Sequence, residues 1–137
     1  VGNSWYYMSE SGAMVTGWLN LNGNWYYMKP SGSMAVGWCL VGNSWYYMSE
    51  SGAMVTGWLN LNGNWYYMRP SGAMAVGWCL VGNNWYYMAE SGVMVTGWLN
   101  LNGTWYYMGN DGAMLTGTHI INGNTYVFNQ DGVWISD

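Results

Sequence analysis

The chain has 137 residues, the length of one ordinary domain, with 19% aromatic residues, only 6% charged residues and a formal net charge of -4. Disorder needs few rings and high net charge, so this composition argues against it. Lys29 and Arg69 are the only cations, too few to neutralise a phosphate backbone, so nucleic acid is not expected as a partner despite the many rings.

No apolar run approaches a membrane-spanning helix, and the Gly and Asn punctuation would break one. Val1-Gly2-Asn3-Ser4-Trp5 aligns with the second half of a later hairpin, so the expectation is that the natural N-terminus precedes Val1, together with any export signal.

The first whole hairpin is Gly17 to Met28, GWLNLNGNWYYM. Trp18, Leu19 and Asn20 form a short strand, Asn22-Gly23 is a two-residue turn signal, and Trp25, Tyr26, Tyr27 and Met28 form an aromatic strand. A connector follows, Lys29-Pro30-Ser31-Gly32-Ser33-Met34-Ala35-Val36, with its own Pro-Ser-Gly turn signal and a Met two residues after the Gly. The pattern then recurs. GW places Trp18, Trp38, Trp58, Trp78 and Trp98, while WYYM begins at Trp5, Trp25, Trp45, Trp65, Trp85 and Trp105, a period of twenty. Over it lies a period of forty, since the sequence from Val1 returns almost unchanged at Val41 and Val81. A fixed period of this length predicts a solenoid in which each unit buries its face against its neighbours. No segment carries a helical apolar pattern free of glycine, so the expected fold class is all-β, a β-solenoid of stacked β-hairpins.

Cys39 and Cys79 follow GW tryptophans at the place that Leu19, Leu59 and Leu99 occupy in alternate units. Units stacked about 10 Å apart would hold the two sulfurs beyond disulfide reach, so both are read as reduced, packed substitutes for leucine. From Gly117 to Phe128 the turn Asn122-Gly123 survives, but Thr118 and Thr125 replace both tryptophans. Residues 118–137 are therefore read as a degenerate capping hairpin on a repeat array spanning 1–117, with Val133, Trp134 and Ile135 folding back over the open end.

Side chains alternate along a strand, so Trp25 and Tyr27 face one way while Tyr26 and Met28 face the other. Three rings per twenty residues exceed what a thin two-stranded unit can hide, and exposed aromatic patches mark binding. Two indoles on one hairpin and a ring from the next make a box of electron-rich faces, suited to a weakly hydrated quaternary ammonium. His119, the only histidine, stands in the degenerate unit, Glu10, Glu50 and Glu90 lie forty residues apart, and Asp111, Asp131 and Asp137 are scattered near the C-terminus. None forms a catalytic or metal-ligand cluster. The chain is read as non-catalytic and free of cofactors, any catalysis lying elsewhere in a parent protein.

GW, six residues, WYYM, then Gly-x-Met before the next GW resembles the choline-binding repeats of Gram-positive bacterial and phage cell-wall proteins, from Val1 to about Gly117. The resemblance implies a left-handed superhelix of hairpins, secreted and anchored at the cell wall. The implied ligand is the choline or phosphocholine of teichoic acids, held between consecutive hairpins by the GW and WYY tryptophans of one unit and a tyrosine of the next, often with a Met or Leu beside them. Carried over, with the second tyrosine chosen by alternation, that gives four boxes: Trp18, Trp25 and Tyr47; Trp38, Trp45 and Tyr67; Trp58, Trp65 and Tyr87; Trp78, Trp85 and Tyr107. A fifth, on Trp98 and Trp105, would meet Val127 and be weaker, unless the first tyrosine is the wall, in which case Tyr126 completes it. Trp5, without a GW strand, should have no box of its own. Some members of that family dimerise, so a homodimer is among the implied partners. The alternative readings are a glucan-binding repeat module, which uses similar aromatic hairpins, and a designed or purely structural repeat array.

Overall fold

The computed structural model describes residues 5–9 and 11–136, and within them the chain is all-β. The strands come in pairs: β1 (Gly17–Leu21) with β2 (Asn24–Met28), β3 (Gly37–Val41) with β4 (Ser44–Met48), β5 (Gly57–Leu61) with β6 (Asn64–Met68), β7 (Gly77–Val81) with β8 (Asn84–Met88), β9 (Gly97–Leu101) with β10 (Thr104–Met108), and β11 (Gly117–Ile121) with β12 (Asn124–Phe128). A short β13 (Trp134–Ser136) adds to β12, so among the described residues only the last sheet has three strands. Hairpins of about twenty residues therefore repeat as the sequence period requires. Glu10 and Asp137 lie outside the described residues.

The turn residues explain the two hairpin types. Leu21 pairs with Asn24 across Asn22-Gly23, where φ is +55° and +88°. Two successive positive φ values make the type I′ turn that Asn-Gly favours. In the alternate hairpin Val41 pairs with Ser44, and positive φ is confined to Gly42, at +62°, which is the type II′ solution. Both turns match the right-handed twist of the strands.

The connector is a second, smaller hairpin. Gly32 N–H donates to Lys29 C=O at 2.6 Å and Lys29 N–H donates to Ser33 C=O at 2.8 Å, closing a three-residue loop around Pro30-Ser31-Gly32. Just beyond that loop Met28 and Met34 form an isolated bridge, and the same bridge recurs for Met48 with Met54 and Met88 with Met94.

The chain packs as two compact units, Val1–Leu59 with Tyr67–Met74, and Asn60–Tyr66 with Ala75–Asp137. In the first, Met28, Met48 and Met68 are buried together with Ala35. Successive turns of the chain are tied by backbone bonds, Met34 N–H to Trp5 C=O, Met54 N–H to Trp25 C=O and Met74 N–H to Trp45 C=O, each 2.7 Å. In the second unit Ala75, Cys79, Met88, Met108, Ile121 and Phe128 are buried, and the Met94 and Met114 N–H groups donate to the Trp65 and Trp85 carbonyls at 2.7 and 2.8 Å. Each fully buried methionine stabilises by roughly 1.5–3 kcal/mol, and the backbone bonds fix the step between turns. Neither cysteine is in a disulfide, and Cys39 is half-buried and Cys79 buried, in keeping with their reading as stand-ins for leucine.

Candidate functional site

Register builds the outward face of each hairpin. Trp18 pairs with Tyr27 and Asn20 with Trp25, so Trp18 and Trp25 sit diagonally across the strands. Their ring centroids are 6.4 Å apart and the planes stand at 84°. Trp78 and Trp85 repeat this at 6.4 Å and 86°, as do Trp38 and Trp45 at 6.4 Å and 87°. The paired indoles expected from the sequence are therefore present in these hairpins. The WYY tryptophan stays open to solvent, with Trp25 43% and Trp85 41% exposed.

The ring that the next hairpin brings to the indole is its first tyrosine. Tyr46 lies 4.9 Å from Trp18, tilted by 69°, and Tyr106 lies 5.0 Å from Trp78 at 70°. The expected second tyrosines lie elsewhere: Tyr47 packs on Trp38 at 5.1 Å, Tyr67 on Trp58 at 5.0 Å, Tyr87 on Trp78 at 5.2 Å and Tyr107 on Trp98 at 5.0 Å, each within its own hairpin. Alternation does hold along each strand. What it leaves undetermined is which face the following hairpin presents to the groove, and that face carries the buried methionine and the first tyrosine. Tyr126 accordingly stands 4.9 Å from Trp98, where Val127 was the expected neighbour.

Two cavities show what these rings enclose. One, of about 380 Å³, is lined by Trp18, Trp25, Tyr46, Met54, Pro70 and Ser71. Its counterpart, of about 330 Å³, is lined by Trp78, Trp85, Tyr106, Met114, Gln130 and Asp131. Both are at the small end of ligand sites and so suit a headgroup-sized cation. The family resemblance implies a Met or Leu beside the rings without giving its position, and these cavities place it at Met54 and Met114, residues that share the period of twenty. The rims differ in charge, because Asp131 brings a carboxylate to the second cavity where Ser71 stands in the first. A third groove, of about 410 Å³, joins Trp5 and Tyr6 to Met28, Met34, Glu50 and Ser51, with one indole instead of two. His119 Nε2 donates to the Thr116 carbonyl at 2.7 Å and its ring lies 6.4 Å from Phe128, a strand-face position in the terminal hairpin. Among the described residues no group of His, Cys, Asp and Glu could hold a metal ion, and no helix is long and apolar enough to cross a membrane.

A family model described as the choline-binding repeat matches residues 1–37, 15–56, 35–77, 55–96 and 75–118. The chain belongs to the choline-binding repeat family. Choline binding protein F from Streptococcus pneumoniae, crystallised in the presence of a peptidoglycan analogue, is similar at 46% identity with a TM-score of 0.90 over 97% of this chain and 44% of its own. The protein CbpJ from Streptococcus pneumoniae TIGR4 is similar at 46% identity and a TM-score of 0.90, over 98% of this chain and 46% of that one. The multimodular pneumococcal cell wall endolysin of phage Cp-1, complexed with choline, matches at 36% identity and a TM-score of 0.64 over 89% of this chain and 37% of its own. The choline-binding repeats of this chain thus span less than half of each of these proteins. Among curated proteins, none matches this chain in sequence.

Proposed function

We propose that this chain is a non-catalytic anchoring module that holds a secreted protein to the cell wall by gripping the choline of phosphocholine-decorated teichoic acids in aromatic boxes, with residues 118–137 as its capping hairpin. The observation that carries the reading is the arrangement of Tyr46 and Trp25 about Trp18, 4.9 and 6.4 Å away and steeply inclined to it. A methylated ammonium spreads its charge over several methyl faces, and rings set at steep angles meet more than one of them. Each ring contributes about 0.5–2 kcal/mol to a cation. Three rings then supply roughly 1.5–6 kcal/mol, against about 4 kcal/mol for a millimolar site. Met54 adds a polarisable floor. The choline complex of the Cp-1 endolysin supports the same ligand for this member of the family. The proposed boxes are Trp18, Trp25, Tyr46 and Met54, and Trp78, Trp85, Tyr106 and Met114.

The test is a titration of tryptophan fluorescence and melting temperature with choline, using glucan oligomers as the control. Saturable quenching and a rising Tm with choline, and neither with glucan, is the expected result. No response to choline at roughly tens of millimolar, or a response to glucan alone, overturns the reading in favour of a sugar-binding or structural array.

A further inference from the structure

The terminal hairpin departs from the repeats most visibly in losing its tryptophans, yet it supplies one at an unexpected place. In the array each buried methionine of the second strand pairs with the methionine six residues on, as Met88 does with Met94 and Met108 with Met114. The last such pair is Phe128 with Trp134. Trp134 therefore occupies the position of Met54 and Met114, the residues that line the two cavities. Its ring lies 5.8 Å from Trp98 at 62° and 5.8 Å from Tyr126 at 72°. Trp98 in turn lies 6.1 Å from Trp105 at 86° and 4.9 Å from Tyr126.

These are the relations of a box, with an indole in place of a thioether. We infer that Trp98, Trp105, Tyr126 and Trp134 form a four-ring site for a quaternary ammonium, tighter than the three-ring sites elsewhere in the chain. The inference rests on the proposed choline reading and deepens it. Two observations favour a wall over a plug. Trp98 keeps 37% of its surface exposed with Trp134 beside it, nearly the 38% of Trp38, and Trp105 keeps 41%, the same as Trp85. An indole filling the box would have buried both. Tryptophan is also the strongest of the aromatic faces for a cation, so exchanging sulfur for indole adds attraction where the methionine offered mainly dispersion. The added ring should tighten the site about 2- to 5-fold.

The experiment is a choline titration of the full 15N-labelled chain, following the indole N–H cross-peaks, with Trp134 assigned by its loss in Trp134→Met. The Trp134, Trp98 and Trp105 peaks are expected to move together, with a Kd about 2- to 5-fold below that reported by Trp18 and Trp25. Trp134→Met installs the residue that the other connectors carry and should raise that Kd to the common value, while Trp134→Phe, which keeps a ring, should fall between. A stationary Trp134 peak while Trp98 and Trp105 respond overturns the inference and leaves the choline reading standing. Tighter binding by Trp134→Met does the same, since it would make the indole a plug. If no indole anywhere responds to choline, both fall together.

Discussion

Tyr46 and Tyr47 are neighbours in sequence with opposite duties, one closing a box on the preceding hairpin and the other bracing an indole of its own. Tyr46→Ala should weaken choline at the Trp18 box about 2- to 30-fold, the loss of one cation–ring contact, and, since this ring is half-buried too, should also destabilise the chain by about 1–2 kcal/mol. Tyr47→Ala should leave that box unchanged and destabilise the chain by about 1–2 kcal/mol, since its half-buried ring packs on Trp38. The reverse pattern of choline affinities, read from the Trp18 indole signal, would remove Tyr46 from the site. Cys39 offers a second residue-scale check. Burial pushes its thiol above the ordinary range, partly offset by the charge of Lys29. A raised thiol pKa means that the folded chain holds its proton longer than the unfolded chain, so the stabilisation is full below the unfolded pKa and is lost as pH rises through the folded one. Iodoacetamide should label Cys39 with a pH midpoint above that of a free cysteine, and Lys29→Gln should move the midpoint higher still. A midpoint that falls in Lys29→Gln would contradict that balance. Strand parity made the paired indoles legible in the sequence, because facing within a hairpin depends only on odd and even positions. The partner tyrosine was not legible, since it depends on how the connector turns the next hairpin.

At the scale of the element, the connectors decide both the stacking and the floor of the site. Gly72 has φ +90°, and a Cβ there would overlap the sulfur of Met54. Gly57, at φ +84°, has nothing within 4 Å of the same added carbon. Both alanine variants carry the backbone strain of positive φ, about 1–2 kcal/mol. Gly72→Ala alone must also displace Met54, for about another 1–2 kcal/mol, and the displaced thioether narrows the Trp18 cavity that it lines. Urea melts with choline titration should show Gly57→Ala losing stability without losing affinity, and Gly72→Ala losing both. Equal effects from the two would mean that Met54 is not held by the next connector. The hairpins themselves were written in the sequence, since Asn-Gly and Gly-Asn each specify a two-residue turn. Trp134 was harder to place, because a count of twenty from Met114 reaches it but the change of residue type hides the equivalence, and only the Phe128 pairing reveals it.

For the molecule as a whole, the repetition matters because one box of three rings is weak. On the proposed reading a polymer carrying many cholines would engage more than one box, and linkage of that kind raises avidity by about 10² to 10⁴ without any new contact. Free choline cannot do this. It acts at each box separately, and at ten times Kd it should stabilise the fold by about 1.4 kcal/mol per site. The two modes separate under mutation. Trp25 and Trp85 are both substantially exposed, so Trp25→Ala and Trp85→Ala each remove one box with little loss of core. Either variant should leave the Kd for free choline at the surviving boxes unchanged and lower only the number of sites seen by calorimetry. Binding to a soluble choline-bearing polymer should fall far more steeply, by roughly tenfold or more for one variant and further for the pair, because each removes a term from the product of linked equilibria. If polymer and free choline showed the same affinity in the wild-type chain, and the variants changed both in proportion, the boxes would be acting independently and multivalency would not explain the repeats.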